Sequence, residues 1–280
     1  MGLYRSMLFA PGNHARKVEK SLTLDADDRG QDAPLVIGVL ADARGETDEL
    51  AAVRAGFARH GVHLVVSLGG IGQSSAEVEP ALAALTGPWL LLAMPGDRED
   101  LREHRAAVAA LAERGVVDGS RVRQVQAAGV ALFTWPGAPH REQLMAGVRG
   151  CGFQPADIDG LVTLARDAEA PRRVLLSHAP PRQAGPDASD RTEAGVHIGD
   201  PAVAQLVADA GMALVVHGLI WPAGHPVKTG QQTLSIATPR VLSAGAADGI
   251  PNMTRASHVA PLAMVIQFQG TDVSWTYLPE

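Results

Sequence analysis

Apolar runs of strand length alternate with segments of helical periodicity through the first hundred residues of the chain. Residues 35–40 are continuously apolar, and residues 48–60 repeat apolar side chains at Leu50, Val53 and Phe57, one face of a helix. Residues 62–68 predict a second strand, 78–85 a second helix and 89–94 a third strand. This alternation implies right-handed β-α-β crossovers and a largely parallel sheet. Residues 100–125 predict mostly helix, interrupted near Gly115 and Gly119. The second half is less regular. Strands are predicted over 130–135, 174–177 and 213–217. Residues 180–200, rich in Pro, Gly and Asp, predict a surface loop of a length that is often functional. A strand over 233–237 and a hairpin of 262–268 with 273–278, turning at Gly270-Thr271-Asp272, complete the pattern. Ahead of all this, residues 4–27 read as a strand-helix unit: the run Met7-Leu8-Phe9-Ala10, a Pro-Gly-Asn turn, then helical spacing through Val18, Leu22 and Leu24. The polar stretch Asp27-Asp28-Arg29-Gly30-Gln31-Asp32 reads as a linker. The expected division is an N-terminal appendage, 1–33, and a main domain, 34–280.

Composition narrows the picture without naming a function. With 280 residues, 46% of them hydrophobic but few aromatic, the core is built from Ala, Val and Leu. A net charge of −6 argues against a broad basic face for nucleic acid. The single cysteine, Cys151, excludes an intrachain disulfide. The N-terminal apolar stretch is broken by Pro11, Gly12, Asn13 and His14, so it is neither a secretory core nor a membrane span. The expectation is a cytoplasmic protein that engages no membrane.

Five polar segments follow apolar runs: Ala41-Asp42-Ala43-Arg44-Gly45, Ser67-Leu68-Gly69-Gly70, Pro95-Gly96-Asp97-Arg98-Glu99, Ser177-His178-Ala179-Pro180-Pro181 and His217-Gly218-Leu219-Ile220-Trp221. Their order resembles that of the calcineurin-like metallophosphoesterases, which write these places as D-x-H, G-D, G-N-H-D/E, a lone His and G-H-x-H. Ser177 to Pro181, continued by Gly195-Val196-His197-Ile198-Gly199, is similar to an S-H-x-P-P … G-x-H-x-G run of one bacterial branch, with Asp200 where a small residue is usual. The resemblance implies an α/β fold: a metallophosphoesterase-like four-layer sandwich of two mixed β-sheets flanked by helices.

It also implies a site, residue by residue. Asp42 matches the first Asp, His178 the lone His, and Asp97 stands where Asn is usual. These three are the residual metal-ligand candidates. Arg44 replaces a ligand His, Gly70 the bridging Asp, and Leu219 and Trp221 both His of the last motif. Arg98 stands at the catalytic His. Two dications about 3.5–4 Å apart need an anionic bridge to offset their repulsion. Glycine supplies none, and two guanidinium groups add permanent positive charge. The expectation is therefore a protein with no cofactor, catalytically inactive or strongly impaired, acting as a binding or scaffold module for a protein partner. The family's retromer scaffold subunit is a precedent. The alternative is a weak phosphoesterase using a single Mn, Fe, Zn or Mg ion held by Asp42, Asp97 and His178. Arg44 and Arg98 are candidates for holding an anion, such as a phosphate-containing small molecule, by bidentate hydrogen bonds.

Other features weigh less. Residues Arg5-Ser6-Met7-Leu8-Phe9-Ala10-Pro11-Gly12-Asn13 and Asp25-Ala26-Asp27 resemble the opening of the citrate lyase β-subunit and related CoA-ester lyases. One strand-helix unit cannot close a barrel, so no lyase activity is expected. His197 and His225 lie near two of the five segments but read as surface or hydrogen-bonded histidines. Ser177 lacks a nucleophile elbow. Cys151 reads as a small buried residue and Trp221 as a packing residue.

Overall fold

Strand β1 (Tyr4–Leu8) and strand β2 (Lys20–Leu24) open the chain in this computed structural model. It describes residues 4–8, 20–24, 34–43, 47–138, 143–184, 188, 190, 196–218, 234–235, 240–243 and 263–278. Then come β3 (Leu35–Leu40), α1 (Asp48–Arg59), β4 (Leu64–Ser67), α2 (Ser75–Leu85), β5 (Leu90–Ala93), α3 (Leu101–Ala110) and β6 (Val116–Asp118). The second half holds β7 (Val122–Ala127), β8 (Val130–Trp135), α4 (Pro155–Asp167), β9 (Arg172–Ser177), α5 (Pro201–Asp209) and β10 (Leu214–His217). The last strands are β11 (Leu234–Ser235), β12 (Arg240–Ser243), β13 (Ala263–Gln269) and β14 (Asp272–Leu278).

These strands make two mixed sheets. One has six strands in the order β14-β13-β3-β4-β5-β6, parallel from β3 to β6 and closed by the antiparallel hairpin β13–β14. The other has eight, β1-β2-β7-β8-β9-β10-β12-β11, with β8, β9, β10 and β12 parallel. Strand β3 is buried on both faces, which is why its sequence is a continuous apolar run and not an alternating one. Ile37 and Val39 face Leu132, Leu176 and Val216 between the sheets. Val36 and Leu40 face Leu50, Phe57 and Leu82 of the first helices. On the far side of the eight-stranded sheet, Phe133, Leu175 and Val215 pack on Leu161 of α4 and Leu206 of α5. The result is helix, sheet, sheet, helix, the four layers expected. Gly38 lets the first helix sit close, because a Cβ there would meet the Phe57 ring at 2.6 Å.

Several expected elements differ. The helix expected through Leu22 and Leu24 is strand β2, which pairs in parallel with β7. The helix expected over 100–125 ends at Ala110, and two strands follow it, β6 and β7. Helices α4 and α5 are not among the predicted elements, although each announces itself. Helix α4 begins with Pro155 behind a capping box of Gln154 and Asp157. In α5, Asp200 caps the N-terminus ahead of Pro201, accepting from the N–H of Ala202 and Val203. Among the described residues no helix is long and apolar enough to cross a membrane.

Candidate functional site

Parallel strands β3, β4, β5, β9 and β10 bring the described residues of the five segments to one end of the two sheets, the carboxyl end where α/β folds place their sites. The backbones there touch. Asp42 takes a left-handed conformation, φ +55°, and its N–H donates to the Gly69 carbonyl at 2.9 Å. Gly69 and Gly70 have φ of +111° and +73°. A Cβ on Gly69 would lie 2.4 Å from Gly96 N, and one on Gly96 would lie 2.5 Å from Cε1 of His178. Only glycine permits both the dihedrals and the approach.

Gly70 is the position that the resemblance gives to the bridging carboxylate. A Cβ on it would fall 2.2 Å from Oδ1 of Asp42, so the Asp42 carboxylate stands where a bridging side chain would begin. Asp42 itself is buried. Among the described residues no three His, Cys, Asp or Glu side chains group so as to hold a metal ion.

His178 and Asp97, two of the three candidate ligands, are brought together as partners of each other. Nε2 of His178 lies 3.2 Å from Oδ1 of Asp97 and 3.1 Å from the Asp97 N–H, while Nδ1 donates to the Leu68 carbonyl at 3.1 Å. The Leu68 bond fixes a proton on Nδ1. Nε2 then has two exclusive choices: neutral, it accepts from the Asp97 N–H; protonated, it donates to the Asp97 carboxylate. Burial opposes the charge, but the Asp97 hydrogen bond and charge outweigh it. The Asp42 and Glu99 charges add to them, and the imidazole is raised to about 9. Burial likewise acts to raise the Asp97 carboxyl, and the His178 bond and charge outweigh it, with Arg98 assisting, so Asp97 lies below the usual range. At neutral pH the pair is imidazolium and carboxylate.

Glu99 is the residue whose part the sequence did not reveal. Fully buried, it accepts the Ile71 N–H at 2.7 Å on one oxygen and the Gly96 N–H at 2.8 Å on the other. It thus ties the loop after β4 to the loop after β5. The available signal is a Glu placed three residues after Gly96, downstream of the Gly69-Gly70-Ile71-Gly72 loop. Arg98 forms no ion pair among the described residues, and its Nε is buried without a hydrogen-bond partner. His217 is buried beside this cluster, its Nδ1 at 2.9 Å from the Gly218 carbonyl, and burial presses it down to about 4, so it is neutral. Arg44, Leu219, Trp221 and His225 lie outside the described residues, as does the Pro11-Gly12-Asn13-His14 turn. His197 is engaged elsewhere. Its Nδ1 lies 2.8 Å from Asp190, whose other oxygen accepts from Gln183 and Gly199 N–H and closes the 180–200 loop on itself. Cys151 is half-buried, more open than the small core residue expected.

No protein-family model and no curated protein sequence matches the chain. Solved structures do match. TT1561 of Thermus thermophilus is similar at a TM-score of 0.63 and 11% identity, over 87% of this chain and 99% of that one. A dimetal phosphatase from Danio rerio gives 0.53 at 13% identity, over 86% and 98%. GAP50, the anchor in the inner membrane complex of Plasmodium, gives 0.52 at 10% identity, over 87% and 84%. Identities this low speak to the backbone alone: the chain has the two-sheet, four-layer fold of the metallophosphoesterases.

Proposed function

We propose that this chain is a metallophosphoesterase-fold protein without two-metal chemistry, acting as a binding or scaffold module. One observation carries the reading. The resemblance gives the bridging position to Gly70, and a Cβ there would fall 2.2 Å from Oδ1 of the Asp42 carboxylate. Without a shared carboxylate, two adjacent dications have nothing to offset their repulsion. The raised His178 imidazole and the Arg98 guanidinium add positive charge to this cluster, which disfavours a pair of cations there. One protein sharing the fold is described as an anchor, which supports the compatibility of a scaffold role with this architecture.

A rival reading keeps one ion. The spacing of Asp97 Oδ1 and His178 Nε2, 3.2 Å, suits adjacent ligands of a single cation. Metal analysis separates the two. After exposure to Mn²⁺ and desalting, the proposal expects far less than one ion per chain and no hydrolysis of bis-p-nitrophenyl phosphate above an Asp42→Ala/His178→Ala double variant. Two tightly held ions per chain, or hydrolysis lost in that double variant, would overturn it. One ion per chain, released by His178→Ala, would establish the rival.

A further inference from the structure

Strand β7 contains a bulge. Its pairing with β2 matches Lys20 with Val122 and Ser21 with Gln124, so Arg123 is the extra residue. The consequence is visible in the core. Val122 and Val125, three apart, both face the space between the sheets, which strict alternation would forbid. Arg123 is thereby turned toward the outer layer, its guanidinium 5.9 Å from the ring of Trp135, which packs there against Phe153.

This arrangement leaves donors without acceptors. Arg123 is only 7% exposed, yet it has no ion-pair partner among the described residues. Its single hydrogen bond among the described residues is long, 3.5 Å from Nη1 to the Thr134 carbonyl. Trp135 is 1% exposed and its Nε1–H has no acceptor among the described residues. Gln124, also buried, is the next residue on the strand. Buried charges are ordinarily paired and buried N–H groups ordinarily bonded. A guanidinium fork and an indole N–H at one corner, with no carboxylate among the described residues to meet them, are complementary to an oxyanion.

We propose that the Arg123 and Trp135 side chains form an oxyanion site in the outer layer of the eight-stranded sheet, taking a phosphate or a carboxylate, on the opposite face of the strand end whose Trp135 carbonyl accepts the His178 N–H at 3.1 Å. Trp135 offers a direct probe, because Trp89 already donates its indole N–H to the Leu85 carbonyl whereas Trp135 does not. Inorganic phosphate and acetate are titrated separately into the full chain at constant ionic strength. The indole N–H signals are followed by ¹H–¹⁵N correlation, with Trp135→Phe assigning the resonance. The expected result is a saturable shift of the Trp135 signal, half-complete below about 1 mM of the preferred anion. Arg123→Lys should weaken it at least about tenfold by losing the fork. Arg123→Met should abolish it, and Arg102→Met, at an exposed position of α3, should leave it unchanged. The two anion arms decide between phosphate and carboxylate. Absence of saturation with either anion would overturn the site, as would a Lys variant that titrates like the parent. The Lys variant keeps the test open if the Met variant does not fold.

Discussion

Gly70 decides at the scale of one residue what the site can become. Restoring the five altered positions to the family's pattern is the obvious way to recover metal binding, and the packing argues against it. Any side chain at Gly70 must both hold φ at +73° and displace the Asp42 carboxylate 2.2 Å away. Strain of this kind costs roughly 1–3 kcal/mol before the clash is counted. Gly70→Ala should therefore lower the unfolding free energy by about 2–4 kcal/mol in urea titrations, and Gly70→Asp should do the same without creating a tight Mn²⁺ site. The sequence makes Gly70 conspicuous as a replaced ligand. It does not show how close the Asp42 carboxylate lies, because the two meet only when β3 and β4 are paired.

Elements show a similar division between what is readable and what is not. Strands β3, β4 and β5 are legible because a sheet covered on both faces leaves an unmistakable apolar run. Strand β7 reads as helix because its bulge spaces Val122 and Val125 by three, which is helical spacing. The loops between elements are governed by Glu99, whose two carboxylate oxygens hold the N–H groups of Ile71 and Gly96. Glu99→Ala leaves both donors buried and unpaired, a cost of roughly 1–3 kcal/mol each. Hydrogen exchange at the Ile71 and Gly96 amides should accelerate in that variant while the β13–β14 hairpin keeps its protection. Glu99→Gln, which retains one acceptor oxygen, should fall between.

For the molecule as a whole, buried histidines set how stability depends on pH. His178, raised to about 9, binds its proton more tightly folded than unfolded. Its contribution is complete below about pH 6.5 and is lost as pH climbs toward 9, on the order of 3 kcal/mol over that span. His217 is held down to about 4, and His104 is lowered in the same direction by its own burial. The unfolded chain takes up protons at both below about pH 6.5, so acid costs stability from there down to about 4. Urea midpoints should therefore be highest near neutrality. His178→Asn should flatten the alkaline limb, and His217→Leu the acid one. The fold is readable from five short segments in order, whereas the partnering of His178 with Asp97 is not, since a histidine and an aspartate 81 positions apart look equally suited to a shared ion. Glu99 has a last consequence. A fastening that dissolved solutes provide obeys mass action and weakens on dilution or chelation, but one provided by the chain's own carboxylate has no concentration to lose. These loops should close in the same moment as the rest of the polypeptide, whatever ions its surroundings hold, and EDTA should leave the melting temperature where it was.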